Sequence, residues 1–145
     1  MFAIASDHGG FAMKAQILAH LKARGIEIAD LGCYSEASVD YPEYAEKLCR
    51  AVTAGEYERG ILVCGTGIGM SIAANKIPGI RATLVGDCYS AEMSRQHNNS
   101  NVLCLGGRVL GQELALRITD IWIDTPFSGL EKHERRLGMI AGLEG

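Results

Sequence analysis

The sequence has no CxxC pair, no excess of positive charge and no long unbroken apolar run. Its five cysteines, at 33, 49, 64, 88 and 104, are odd in number and form no tight cluster with histidine. This argues against a disulfide framework and against structural zinc. Most of these thiols are expected to be small buried hydrophobes. The balance of 14 Lys and Arg against 17 Asp and Glu, a net charge of −3, provides no broad positive field for nucleic acid or an anionic membrane. Any anion must therefore be held by a local site. The most apolar late run, LALRITDIWI, is interrupted by Arg117 and Asp120 and is too short to cross a bilayer. The start, MFAIASDHGG, lacks the basic and apolar regions of a signal peptide, so a cytoplasmic protein is expected.

What is present is rhythm. Short β-like runs alternate with amphipathic windows, the mark of a parallel sheet covered by helices. Strands are expected at 2–6, 26–31, 60–64, 81–85 and 101–105. Between and after them, helices are expected from Phe11 to Arg24, from Pro42 to about Ala54, through 70–76, from about Tyr89 to His97, from Leu110 until Pro126 closes it off, and from about Leu130 to Gly142. The first helix is expected to use Phe11, Ala15, Leu18 and Leu21 as its apolar stripe. Gly25 and Gly55 stand where helix-ending glycines belong, and Pro42 stands in a first turn. GILVC (60–64) has no alternation, which suggests burial on both faces. With 145 residues, 48% of them hydrophobic and no repeat or linker, one domain over 1–145 is expected. Asp7, His8, Cys64 to Met70, Asp87 and Gly106 to Arg108 then follow strand ends, at the edge where such sheets bind ligands.

ILVCGTGIGMSIAANK (61–76) is the most informative stretch. A nucleoside-triphosphate loop needs GxxxxGK[ST], and Lys76 comes seven residues after the last glycine. The dinucleotide fingerprint fits at Gly65 and Gly67, with Asp87 near the spacing of a ribose-binding acid, but its third glycine is Met70. A third reading has the glycines aim backbone N–H groups at an anion, with Cys64 facing a helix start that favours a thiolate. A buried strand end and a tight turn explain the same residues without chemistry.

SDHGG (6–10), VDYPEYA (39–45), CGTGIGMSIAANK (64–76), SRQHNNSNVL (94–103) and GGRV (106–109) together, in this order, resemble the ribose-5-phosphate isomerase B family. That family includes related isomerases of allose and galactose phosphates. The match runs over nearly the whole chain. It implies a Rossmann-like three-layer α/β/α domain with a five-stranded parallel sheet. The implied activity is aldose–ketose isomerisation of a small sugar phosphate, without metal or other cofactor. A homodimer with sites shared between subunits, or a tetramer built from it, is implied as well, with the last helix (about 130–142) reaching the partner.

By match, Cys64 is the base that moves a proton between C2 and C1 through a cis-enediolate. Thr66 assists at the oxygens, and the backbone of Gly65, Gly67, Gly69, Met70 and Ser71 stabilises the enediolate. His97 opens the furanose ring with help from Asp7, Asn98 holds a hydroxyl or the enediolate, and Tyr41 contacts substrate or anchors its loop. In another branch of the family a glutamate four residues after the threonine position is the base. Met70 fills that position here, so the chain resembles the cysteine type. His8, Arg108, Lys132 and Arg136 match the phosphate-binding positions, with Arg135 as an alternative to Lys132. The family's cysteine members more usually carry arginine at position 132. Apart from that resemblance, Arg135 and Glu131 read as a solvated i,i+4 pair. His133 reads as packing on a stripe with Leu130, Leu137 and Ile140, and His20 has no assigned role. Cys33, Cys49, Cys88 and Cys104 read as structural, with Cys88 close enough to a strand end to approach the site.

The chemistry suits these residues: backbone donors for a developing enediolate, a base near both carbons, a histidine for ring opening and cations for a remote dianion. A nucleotide- or phosphate-binding module without chemistry, and a thiol-dependent hydrolase, are the competing readings.

Overall fold

The computed structural model describes residues 1–144. Its elements are β1 (Phe2–Ser6), α1 (Phe11–Ala23), β2 (Ile28–Asp30), α2 (Tyr41–Thr53), β3 (Gly60–Cys64), α3 (Ile68–Ala74), β4 (Ala82–Leu84), α4 (Cys88–Gln96), β5 (Val102–Gly106), α5 (Gln112–Asp124) and α6 (Glu131–Ala141). Two short 3-10 turns, His8–Gly10 and Gly142–Glu144, complete it. The five strands form one parallel sheet in the order β2-β1-β3-β5-β4.

β3 lies at the centre of the sheet and is buried along its whole length. Alternation then divides its side chains between two cores. Ile61 and Val63 join Ile4, Leu103 and Leu105 beneath Ile17, Leu21, Ile118 and Trp122 of α1 and α5. Leu62 and Cys64 join Ala3, Ala5 and Cys104 beneath Leu48, Cys49, Met70 and Ala74 of α2 and α3. This is the parallel sheet covered by helices that the strand-and-helix rhythm led us to expect, in the three-layer α/β/α arrangement that the resemblance implied.

Element boundaries differ from the expected ones where backbone groups are already committed. α1 ends in a paired closure: Gly25, at φ +75°, donates its N–H to Lys22 and Ile26 donates to Leu21. Ile26 is thus used by the helix end, and β2 starts at Ile28. Gly55 closes α2 by the same pattern, with Glu56 donating to Ala51. α3 begins at Ile68, two residues earlier than expected, because Gly67 turns left-handed at φ +80° and launches it at once. The buried face of α1 is also rotated from the expected stripe: Met13, Lys14, Ile17 and Leu21 point inward.

The parallel connection from β4 to β5 positions part of the site. α4 runs back from the end of β4 to the start of β5, so its last turn lies at the amino edge of the sheet, opposite Cys64.

Candidate active site

Three strand ends meet at the carboxyl edge. After β1, buried Asp7 accepts the Gly10 N–H at 3.0 Å and so caps the short turn that carries His8. His8 Nδ1 accepts the Val39 N–H at 3.2 Å, which leaves Nε2 as the proton-bearing nitrogen of the neutral ring. At the end of β3, Cys64 Sγ accepts the Gly67 N–H at 3.1 Å. Only glycine fits at 67, since a β-carbon there would lie 2.9 Å from the Leu105 backbone on a left-handed residue. The loop after β5 is tied to the loop after β3: Gly107 N–H donates to the Cys64 carbonyl at 2.8 Å and Arg108 N–H to the Gly65 carbonyl at 2.9 Å. This brings the Arg108 guanidinium over Gly65, with Nη1 3.4 Å from where a β-carbon at 65 would sit.

The rest of the loop is equally close-fitting. Thr66 is exposed, and its Oγ1 accepts the Ile68 N–H at 3.2 Å. The Tyr41 ring presses on Gly69, 2.6 Å from the β-carbon position, so any side chain there would displace it. Ser71 Oγ donates to the Ile68 carbonyl at 2.7 Å. For Met70 the expected backbone role is the only one open. Its side chain is 0% exposed in the core under α3, so only its backbone can face a ligand and it does not shape a sugar pocket.

The remaining residues gather at the amino edge. His97 ends α4, exposed, with its ring 4.4 Å from that of His133. The apolar-stripe expectation for His133 is therefore only half the account: the residue is 6% exposed, but it packs on a histidine and its Nδ1 lies 2.6 Å from Ser128 Oγ. Burial, and then the nearby positive charges of His97, Lys132 and Arg136, hold the His133 ring below the usual histidine range. Arg135 is engaged by Glu131 at 2.8 Å, as the i,i+4 spacing suggested. Asn98 lies exposed in a groove beside Leu137 and Ile140.

The two groups do not meet within one chain. Gly60 pairs with Val102 at one end of the β3–β5 ladder and Cys64 with Gly106 at the other, a span of about 13 Å along the strands. His97, Asn98, Lys132 and Arg136 belong to the first end, and Asp7, His8, Cys64, Thr66 and Arg108 to the second.

Comparison with known proteins identifies the family of this fold. The model of the Ribose/Galactose Isomerase family matches residues 2–140. Ribose-5-phosphate isomerase B of Escherichia coli is 49% identical over 142 residues, 98% of this chain and 95% of its own. The structure of Clostridium thermocellum ribose-5-phosphate isomerase B superposes with a TM-score of 0.96 at 50% identity, covering 99% of this chain and 96% of that one. That of the Mycoplasma genitalium enzyme with bound ribulose 5-phosphate superposes with a TM-score of 0.92 at 39% identity, covering 99% and 95%. The chain belongs to the ribose/galactose isomerase family.

As a member of this isomerase family, the chain uses its glycine loop unlike a dinucleotide loop. Asp87, the candidate ribose acid, caps α4 instead: it accepts the Ser90 N–H at 2.7 Å and hydroxyl at 2.8 Å, which hold its carboxyl below the ordinary range. The site of the third fingerprint glycine is filled by the buried Met70. The other thiols also separate from Cys64. Burial pushes Cys49 up to about 12 and raises Cys104 as well, so both stay neutral. Cys88 packs against the core in place of the site. No helix among the described residues is long and apolar enough to cross a membrane.

Three buried cations escaped the sequence reading, among them Arg59, which donates to the Trp122 and Ile123 carbonyls at 2.8 and 3.0 Å. Lys14 is 1% exposed, donates to Asp30 at 2.7 Å and to the Cys33 carbonyl, and so pins the segment that leads to Val39 and Tyr41. The available signal was its spacing, since Lys14 shares the inward phase of Ile17 and Leu21. Arg95 has the corresponding place beneath His97.

Proposed function

We propose that this chain interconverts ribose 5-phosphate and ribulose 5-phosphate, and that two copies pair so that each site takes its carboxyl edge from one chain and its amino edge from the other. The supporting observation is the Gly67 N–H on Cys64 Sγ, which gives the sulfur a donor in its anionic form at a strand end lined with further amides.

His97 of the second copy protonates the furanose ring oxygen while the anomeric hydroxyl loses its proton, and this frees the aldehyde. Asp7 and Asn98 hold the sugar hydroxyls. The Cys64 thiolate then removes the proton from C2, and the electron pair moves to O1 to give a cis-enediolate whose charge the Gly65–Ser71 backbone faces. Return of the proton to C1, with Thr66 shifting a proton between O2 and O1, gives the ketose. His8 and Arg108, with Lys132 and Arg136 of the second copy, hold the phosphate, whose remote binding energy orients the reacting carbons. Tyr41 closes the side of the pocket over Gly69.

Pairing also accounts for apolar residues left at both edges. Ile68, Leu84 and Val109 are exposed around Thr66, and Ile140 and Leu143 are exposed near Asn98. Contact between these patches would bring the two edges together and cover both.

Turnover of ribose 5-phosphate, allose 6-phosphate and galactose 6-phosphate by wild type and Cys64→Ala tests the reading. Ribose 5-phosphate should be preferred, and the variant should lose about three orders of magnitude in kcat. Full activity in Cys64→Ala would remove the proposed base. Dinucleotide binding without turnover of any sugar would favour a binding module.

A further inference from the structure

Arg95 is a long cation in an unfavourable place. It is 7% exposed and forms no ion pair among the described residues. Burial, and then the neighbouring charge of Arg59, lower its pKa to about 10. An arginine desolvated without a carboxylate needs strong compensation from neutral acceptors.

Its acceptors lie on two features, the turn that follows α4 and the segment that leaves α5. Nη1 donates to Asn99 Oδ1 at 3.0 Å and to the Ser100 carbonyl at 2.6 Å, and Nε donates to the Thr125 carbonyl at 3.1 Å. The first two bonds join residue 95 to residues 99 and 100, so they bracket His97 and Asn98. The third ties the same guanidinium to the start of the segment that leads to α6. That segment also donates from Ser128 N–H to the Gln96 carbonyl, and it delivers His133 onto the His97 ring. Asn99 itself sits at φ +46°, a conformation costly for a side chain with a β-carbon and here held by Arg95 on one side and by Arg81 Nε on its carbonyl at 3.0 Å. His97 and Asn98 are thus exposed side chains on a turn whose shape is set from below.

We propose that Arg95 is a positioning residue for the reaction: its guanidinium fixes the 97–98 turn so that His97 and Asn98 are presented to the site of the second copy. This rests on the isomerase reading above, in which His97 opens the sugar ring. Arg95 touches no substrate, and its effect passes through the turn.

A double-mutant cycle distinguishes this role from general support of the fold. Arg95→Met should lower kcat for ribose 5-phosphate about tenfold, the scale expected when a proton-transfer group is displaced by a fraction of an ångström. In a His97→Ala background the same substitution should change the residual kcat about threefold at most, the part carried by Asn98, measured at high enzyme concentration. Arg95→Lys, which keeps one donor, should recover part of the loss, and it takes the place of Arg95→Met in the cycle if that variant does not fold. The His97 ring C–H resonances should shift in either variant. Equal losses in both backgrounds, or a folded Arg95 variant with wild-type kcat, would overturn the positioning role alone. Wild-type kcat in His97→Ala would instead overturn the assignment of His97 to ring opening, and the role of Arg95 with it.

Discussion

The two edges of the sheet are built in different ways. At the carboxyl edge the working groups, apart from the exposed Arg108, are backbone amides and short side chains fixed at strand ends, and the fit is so close that Gly67 and Gly69 leave no space for a β-carbon. At the amino edge they are long, exposed side chains, His97, Asn98, Lys132 and Arg136, on the ends and faces of helices, and order is supplied from beneath by buried Arg95. The difference follows the chemistry assigned to each. A developing enediolate needs donors already in place, because reorganising them costs part of the gain. Ring opening and phosphate capture need reach and charge.

This contrast predicts where damage falls on kinetics. Gly67→Ala should be the most harmful of the small changes, because its β-carbon would meet Leu84 Cδ1 at 2.6 Å and the Leu105 backbone at 2.9 Å on a residue at φ +80°. The N–H would leave the Cys64 sulfur, and kcat should fall about a hundredfold with little change in KM. A loss confined to KM would mean that the amide serves binding only. Next in size is complementation. Cys64→Ala and His97→Ala, each nearly inactive, should recover about one quarter of wild-type activity after mixing and subunit exchange, as half the dimers are mixed and each holds one intact site. If both groups served a site within one chain, mixing would restore nothing.

The fold was legible in the sequence wherever local signals decide it. The unalternated GILVC became the buried central strand, and Gly25 and Gly55 became the left-handed helix ends. Site residues at strand ends were legible for the same reason, since a residue after a β-run falls on the carboxyl edge in any parallel sheet. Sheet order was not legible. Nothing local says that β5 inserts between β3 and β4, whereas the place of His97 at the far edge follows simply from α4 being the return between two parallel strands. Lys14 and Arg95 were missed because hydropathy patterns treat a cation as surface, whereas Lys14 is held by acceptors remote in sequence and Arg95 by two nearby and one remote. The burial of the Met70 side chain was not legible either, because it follows from the early start of α3, which turns that side chain into the core and leaves only its backbone at the loop.

A smaller effect sharpens the amino edge. Arg136→Ala should raise KM for ribose 5-phosphate about tenfold with kcat nearly unchanged, since it removes a charged bond to the phosphate. Lys132→Arg should lower KM about threefold by replacing a point charge with a planar fork. A fall in kcat without a change in KM for Arg136→Ala would place that residue at the reacting carbons instead.

The smallest effect concerns pH and again separates the two edges. His133 is held below the usual histidine range by burial and by the positive charges of His97, Lys132 and Arg136. The unfolded chain therefore binds a proton more readily than the folded one between the lowered value and the ordinary one, about 6.5. Its share of folding stability is complete above that ordinary value and declines as pH falls below it, until the folded form is protonated as well. The groups that face His133 are cationic apart from Ser128, so protonating it adds repulsion in the same cluster that is assigned to the phosphate. Bound phosphate should relieve this repulsion and reduce the loss. Thermal unfolding of His133→Gln from pH 7.5 to 5.5 should show a shallower decline than wild type, and inorganic phosphate should narrow the gap between them. Identical slopes without phosphate would mean that the charge of His133 does not act on stability, leaving its stacking on His97 as its contribution to this edge.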